Sequence, residues 1–367
     1  MKKICFVNMN AYSLFNPNSN APIGGAEVDL YTLANYLKKY FQIDFIVGDW
    51  GQEKVEVHQG IKVYKSIKLQ KTVWNYLKAP FLLWHNLQVS GADVYLMESA
   101  GIEVGIVAVF CKIYRKKFLY RTAHDIDCNR EFIKENKIAG YFYKYGLEGA
   151  DSVTTQNKDN QKMLWENHKI KAKILKNAYQ IDNLATKNYD KNYILWVARC
   201  SKWKRPELFL RIVKKFPEEK FVMISPMVSD ERDLFNQIKQ GASQLTNLVF
   251  IERVSFFEIQ KYFNKAKIFL GTSDYEGFPN TYLQACLGGT PIISLRVNPD
   301  NFITENNLGY CANGKLDLML DKINYILNHP DDWLEKSRNA LKYVKKNHNI
   351  NIIGKKWRAI LEKLTDN

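Results

Sequence analysis

The densest group of side chains able to do chemistry lies in Ser273-Asp274-Tyr275-Glu276-Gly277-Phe278-Pro279-Asn280-Thr281. A short apolar run, Ile268-Phe269-Leu270, precedes it and reads as a strand. Pro279 marks a helix start, with Asn280 or Thr281 as caps, and Gly288-Gly289 marks its stop. That punctuation sets a helix start at 279–282 beyond a strand end, where free backbone N–H groups and the helix dipole attract a phosphate. Glu276 and Gln284 stand eight positions apart, one ahead of the helix and one inside it, so both can address one ligand. Carboxylates and amides grip vicinal sugar hydroxyls well. The plain alternatives are a Glu276 that only compensates the helix dipole and a Gln284 that is an ordinary helix residue.

Three other groups lie at similar places. Arg199 ends the run Ile194-Leu195-Trp196-Val197-Ala198, and Lys204 follows five residues on, before a Pro206-started helix. Arg as a planar fork and Lys as a point charge suit a diphosphate; in so basic a chain they equally suit a solvated surface. Gly24-Gly25-Ala26-Glu27 opens the first helix. The glycines let a ligand come close to the backbone, or simply form a turn with Glu27 against the dipole. The pattern lacks the G-x-G-x-x-G spacing of dinucleotide sites. His124-Asp125-Ile126-Asp127 follows another strand-like run. Two carboxylates are few for a metal, so His124 reads as a ligand-contacting loop residue, with a solvated loop as the alternative.

The elements that must position these groups alternate. Strands are expected at Lys3–Met9, Ile43–Val47, Asp93–Met97, Phe118–Thr122 and Ser152–Gln156, and helices at Ala26–Lys39, Thr72–Val89 and Ile102–Ile113. The alternation restarts with expected strands at Tyr193–Ala198, Phe221–Ser225, Leu248–Glu252, Ile268–Gly271 and Pro291–Leu295, a helix at Pro206–Lys215 and a mostly helical tail from Asp331 to Leu364. Polar, aperiodic residues 179–192 separate the halves as a linker. A length of 367 residues exceeds one ordinary core. The expectation is two doubly wound α/β domains facing across a cleft. Such sheets bind ligands beyond the carboxyl ends of their strands, where these motifs fall.

Composition narrows the partners. Against 38 acidic residues stand 53 Lys and Arg, a net charge of +15 that attracts an anion without choosing among phosphorylated substrate, membrane surface and nucleic acid. No helix-turn-helix, ribonucleoprotein or zinc pattern accompanies the charge, so nucleic acid is not expected. The six cysteines include no C-x-x-C pair and suggest a reducing cytoplasm. The N-terminus lacks a signal-peptide pattern, and no apolar run approaches the ~18 residues of a spanning helix. The segments Lys65–Leu87 and Lys112–Tyr120 mix lysines with aromatics. Each reads as a helix packed on its own sheet, or as a face for an anionic membrane.

Taken together, these residues resemble the GT-B family 4 of nucleotide-sugar-dependent glycosyltransferases (glycosyltransferase group 1). Asp274–Thr281 with Ala285-Cys286-Leu287-Gly288-Gly289-Thr290-Pro291-Ile292-Ile293 is similar to that family's E-x7-E region and the segment after it. The resemblance implies an N-terminal acceptor-binding domain over 1–178, a donor-binding domain over 179–350, and a C-terminal helix, 351–367, packing back toward the first. It implies a retaining transferase needing no metal or other cofactor. The nucleotide-diphosphate sugar is its substrate, and a glycan or lipid-linked molecule its acceptor. Bacterial surface polysaccharide or glycoconjugate synthesis follows, in the cytoplasm or attached peripherally to the inner membrane face.

In this resemblance Arg199 and Lys204 take the donor diphosphate, Gly24 and Gly25 form the glycine loop, and His124 contacts the donor sugar. Glu276 positions that sugar, with Gly277, Phe278, Pro279, Asn280 and Thr281 completing the donor site. Gln284 stands where the family has the second Glu, which holds the ribose hydroxyls. That departure supports a second reading, a catalytically weak sugar-nucleotide-binding subunit of another transferase.

Overall fold

The computed structural model describes residues 1–19, 24–67, 73–181 and 190–366, the side chains of 73–77 excepted. The chain forms two compact units, Met1–Gln180 with His348–Asn367, and Ile181–Asn347.

The first unit is built on β1 (Lys3–Val7), β2 (Gln42–Val47), β3 (Val55–His58), β4 (Ile61–Lys65), β5 (Val94–Glu98), β6 (Lys117–Arg121), β7 (Ser152–Thr155) and β8 (Lys173–Ile174). Their order is β3-β4-β2-β1-β5-β6-β7-β8. All neighbours are parallel except the β3–β4 hairpin. Strands buried on both faces read as continuous apolar runs. In β1, Ile4 and Phe6 face one core, and Cys5 and Val7 the other.

The first core is closed by the helix Gly25–Leu37 and by the C-terminal helix Ile350–Asp366, whose Ile353, Trp357 and Leu361 recur every four residues. The other is closed by the helices Val73–Ser90, Ile102–Ile113 and Lys137–Glu148. A buried ionic knot ties the first core to the sheet. Arg121 lies 2.8 Å from Asp29 and 3.5 Å from Glu98, donates to the Leu175 carbonyl at 3.0 Å and to Asn177 Oδ1 at 2.7 Å, and rests over the Trp357 ring.

The C-terminal segment is fastened at Tyr179. That residue's N–H donates to the His348 carbonyl at 2.8 Å, and its own carbonyl accepts from Ile350 at 2.9 Å. His348 is fully buried and donates from Nδ1 to the Asn177 carbonyl at 2.8 Å. Burial lowers its pKa from 6.5 to about 3. The neutral ring therefore stabilises the fold above pH 6.5, and that contribution falls as pH drops toward 3 because the unfolded chain binds the proton first. Between pH 8 and pH 5 the loss is about 2 kcal/mol. Urea titrations at both pH values are expected to show a smaller drop in His348→Gln than in the wild type, by that amount; equal drops would contradict the assignment.

The second unit carries β9 (Tyr193–Val197), β10 (Phe221–Ile224), β11 (Leu248–Ile251), β12 (Ala266–Gly271), β13 (Ile292–Ser294) and β14 (Gly309–Cys311). All are parallel, in the order β11-β10-β9-β12-β13-β14. The chain winds outward in both directions from β9 and β12, so the loops after these two strands lie at the topological switch point. One face is covered by the helices Pro206–Lys215, Arg232–Ser243 and Leu316–Asn328 through Phe209, Ile212, Ile238, Met319 and Ile323. Tyr193 and Lys191 anchor the entry to β9: Tyr193 donates to the Tyr262 carbonyl at 2.9 Å, and Lys191 to the Gly288 carbonyl at 2.7 Å.

Two doubly wound sheets are as the alternation suggests. The β3–β4 hairpin, the helix Lys137–Glu148 and β14 go beyond the sequence reading. Of the expected linker, 182–189 lie outside the described residues. Tyr179 is buried within the first unit, and Lys191 is held within the second.

Candidate functional site

Two switch-point loops of the second unit converge. After β9 the chain makes a short 3-10 turn, Lys202–Lys204, and Arg205 takes a left-handed φ of 53° before the Pro206 helix. After β12, residues 272–279 lead into the helix Asn280–Leu287, with Pro279 at its N-cap. Trp196 Nε1 donates to Thr272 Oγ1 at 2.8 Å, and Thr272 Oγ1 donates to the Lys204 carbonyl at 2.7 Å. The Asp274 N–H donates to the Trp203 carbonyl at 2.9 Å. Trp203 stacks on Tyr275, their centroids 5.2 Å apart and their planes within 6°. Arg205 Nη1 adds a 3.2 Å bond to Asp274.

This scaffold brings Lys204 against Glu276. Lys204 Nζ is ion-paired and hydrogen-bonded to Glu276 Oε1, and Ser273 Oγ donates to that oxygen at 2.9 Å. The ammonium lies 3.8 Å from the Trp203 ring centroid. Lys204 and Glu276 are only 13% and 15% exposed. Burial holds the Lys204 pKa below its ordinary value; Glu276 opposes the shift, and the nearby Arg199 charge adds to it. Arg199 itself is exposed, with no carboxylate partner among the described residues. The pair leaves a nearly buried ammonium, an oriented carboxylate and an open guanidinium at one strand-end cluster. Such a group can neutralise an incoming polyanion and accept hydrogen bonds from hydroxyls.

The helix that follows is fixed by packing. Tyr282 lies over β12, where a Cβ on Gly271 would collide with its phenol, and it donates to Ser294 Oγ at 2.9 Å. Gly277, Phe278 and Pro279 are buried, Phe278 against Phe302 at 4.9 Å, while Asn280 and Thr281 are half-buried. Gln284 is buried, and its carbonyl accepts from Gln260 at 3.0 Å. The Thr290 hydroxyl bonds the Phe263 carbonyl at 2.7 Å and turns the chain into β13.

Gly24, Gly25 and His124 belong to the first unit. Gly24 is the N-cap of the first helix, and its N–H donates to Glu27 Oε2 at 2.8 Å, the reciprocal half of a capping box. His124 caps a 3-10 turn, Asp125–Asp127. The Asp127 carboxylate accepts from the N–H groups of Ala123, His124 and Ala100 at 2.7, 3.0 and 3.0 Å. Burial still raises its pKa to about 6. Asp127 thus fixes the backbone that presents His124. Among the described residues no group of three His, Cys, Asp or Glu side chains could hold a metal ion.

The basic aromatic segments pack as helix and strand faces where they are described. Leu83 and Leu87 are buried, and Trp84 meets Phe110 edge-on. Lys116 and Lys117 lie 3.9 and 3.6 Å from Asp93 and Asp151. Lys68 and Lys71 lie outside the described residues. Sequence reasoning had no role for Ser273, Trp203 or Arg205; Trp203 between two lysines was the one available signal.

Residues 180–348 match the model of the glycosyl transferases group 1 family. A glycosyltransferase of Haemophilus influenzae, itself uncharacterised, is 21% identical over 98% of this chain and 100% of its own. A Campylobacter jejuni enzyme, GalNAc-alpha-(1->4)-GalNAc-alpha-(1->3)-diNAcBac-PP-undecaprenol alpha-1,4-N-acetyl-D-galactosaminyltransferase, is 22% identical over 71% of this chain and 73% of its own. Anabaena Alr3699/HepE, solved in complex with UDP and glucose, has the same fold at a TM-score of 0.78, with 16% identity over 99% of this chain and 100% of its own. The tandem doubly wound sheets and these relatives define a glycosyltransferase of GT-B fold. Together these findings support a group 1 glycosyl transferase, the family match itself lying in residues 180–348.

Proposed function

We propose that this family 4 enzyme moves a sugar from a nucleotide-diphosphate donor to a glycan or lipid-linked acceptor, with retention of configuration and without a metal. The observation that carries the proposal is the Lys204–Glu276 pair beside Arg199 at the switch point. A departing nucleoside diphosphate gathers negative charge, and fixed cations in a partly desolvated site stabilise it. Lys204 and Arg199 supply those cations, aided by the start of the helix Asn280–Leu287. Glu276 accepts from hydroxyls of the donor sugar and orients it. Gly24 and Gly25 serve as the glycine loop, and His124 contacts the donor sugar, as the resemblance implies. No side chain acts as nucleophile; the leaving phosphate takes the acceptor proton.

HepE, bound to UDP and glucose, makes UDP-sugars the first donors to offer. The Campylobacter relative, named for a diphospho-undecaprenol substrate, supports a lipid-linked acceptor, surface glycan or glycoconjugate assembly, and work at an anionic membrane face. The test is transfer from a nucleotide sugar in the presence of EDTA, with the product's anomeric configuration read by NMR. An inverted product, or full loss of activity in EDTA, would overturn the corresponding part.

Gln284 motivates the second reading, a binding subunit without turnover. If Gln284 addresses the ribose, Gln284→Glu is expected to tighten nucleotide binding about tenfold, since a charged acceptor strengthens hydrogen bonds by ~1–2 kcal/mol. Calorimetry decides this; unchanged affinity would remove Gln284 from the ribose.

A further inference from the structure

In the second unit the helices Pro206–Lys215 and Arg232–Ser243 bound a cavity of about 820 Å³, within the range of small-molecule sites. None of the residues proposed to hold the donor lines it. Leu210, Leu234 and Ile238 give it an apolar floor. The two helices touch at Gly241, where a Cβ would meet the Leu210 side chain at 2.9 Å. The loop after β9 closes the cavity with Trp203 and Arg205. Arg205 holds both carboxylates of the lining, Glu207 at 2.6 Å and Asp274 at 3.2 Å, each through one oxygen. Arg211 and Lys214 also line the cavity, one turn apart on one helix face. Both are exposed and have no ion-pair partner among the described residues. An acidic hollow adjoins, lined by Asp230, Glu231 and Asp233, and Lys202 borders both. The surplus positive charge therefore lies at the Arg211–Lys214 end.

We propose that this cavity is a second ligand site, for a sugar phosphate, and that filling it tightens donor binding. Arg211 and Lys214 are a fork and a point charge spaced to take one phosphate. Trp203 and the apolar floor cover the C–H side of a sugar ring, while Glu207, Asp274 and the Gln237 amide hydrogen-bond its hydroxyls. The link to the donor site is short. Trp203 lines the cavity and also carries the Lys204 ammonium, 3.8 Å from its ring centroid. Asp274 lines the cavity, donates its N–H to the Trp203 carbonyl at 2.9 Å, and stands two positions before Glu276. A ligand that fixes Trp203 and Asp274 thus orders both members of the Lys204–Glu276 pair before the donor arrives, which favours donor binding. The effect on the donor rests on the proposed roles of Lys204 and Glu276; occupation of the cavity does not.

Titration calorimetry on the full chain, with glucose-6-phosphate, inorganic phosphate and glucose in turn, tests the site. Glucose-6-phosphate is expected to bind, inorganic phosphate about tenfold more weakly, and glucose not detectably. Arg211→Gln with Lys214→Gln, and separately Gln237→Glu, should each weaken the sugar phosphate about tenfold. All three side chains are exposed, so circular dichroism should not change. Lys204→Ala should still bind the sugar phosphate. Loss of that binding in Lys204→Ala, with wild-type binding by the Arg211/Lys214 variant, would put the ligand in the donor site and overturn the proposal. Equal affinity for inorganic phosphate, or no binding of the sugar phosphate, would also overturn it. Saturating glucose-6-phosphate should raise UDP affinity about fivefold, and UDP should raise the affinity for the sugar phosphate by the same factor. Unchanged UDP affinity would overturn the link to the donor site. Sugar-phosphate binding that depends on Arg211 and Lys214, in a chain that binds no UDP or nucleotide sugar, would count against the transferase reading and for the cavity site.

Discussion

Lys204→Ala is expected to lower donor-dependent transfer about 10²–10³-fold, the usual loss when one charge-stabilising group is removed. Lys204 is nearly buried, and the carboxylate it meets is fixed by Ser273. The loss should fall mainly on kcat, because charge on the diphosphate is greatest as the glycosidic bond breaks. Glu276→Ala should be comparably severe, since it frees Lys204 and removes the carboxylate proposed to accept from the sugar hydroxyls. The two residues act as a unit, so the double variant should be little worse than either single one. The loop has its own supports through Thr272 and Asp274, so the fold should survive. Undiminished transfer by both single variants, with intact circular dichroism, would remove this pair from the reaction.

Arg121→Met should destabilise the first unit by about 3–5 kcal/mol, because it leaves buried carboxylates without their counter-ion. Asp29 and Glu98 both face Arg121, and burial already raises the Glu98 pKa well above its ordinary value against the pull of that guanidinium. The cost is a large part of a domain's stability. Asp29 lies on the helix that begins after Gly24, and Arg121 ends the strand that leads to His124. The knot therefore fixes the two places where the first unit carries its proposed site residues. Hydrogen exchange at the β5 and β6 amides should accelerate in Arg121→Met. Adding Asp29→Asn and Glu98→Gln should recover part of the protection, since no uncompensated charge then remains. Wild-type exchange in the single variant would show that the knot contributes little.

The sheets were legible because parallel strands covered on both faces leave dense apolar runs, as in Ile4-Cys5-Phe6-Val7 and Ile268-Phe269-Leu270. Pro279 and Gly288 punctuated their helix, and the helix Pro206–Lys215 begins at its proline. The helix Lys137–Glu148 was not legible: glycines and an outward apolar stripe blur the single-faced periodicity that marks an amphipathic helix. The β3–β4 hairpin turns on Gln59-Gly60, both with positive φ, rather than on the Asn-Gly or Asp-Gly that signals such turns. At the candidate site, residue types could be read but not their pairing. That Lys204 meets Glu276 follows from β9 and β12 being neighbours, a fact of topology separated by 72 positions in sequence. Asp127 offered itself as a metal ligand in D-x-D and is a backbone cap, because three N–H groups converge on it.

Thermal denaturation with a panel of nucleotide sugars tests the donor site most directly, since a ligand bound only by the folded chain raises Tm with its concentration. At ~100 times Kd the wild type should gain about 5–10 °C with its donor. Lys204→Ala, folded but lacking the buried ammonium, should gain little at the same concentration. Equal gains in wild type and Lys204→Ala, or no gain by the wild type with any nucleotide sugar, would contradict a diphosphate donor held at Lys204 and Glu276.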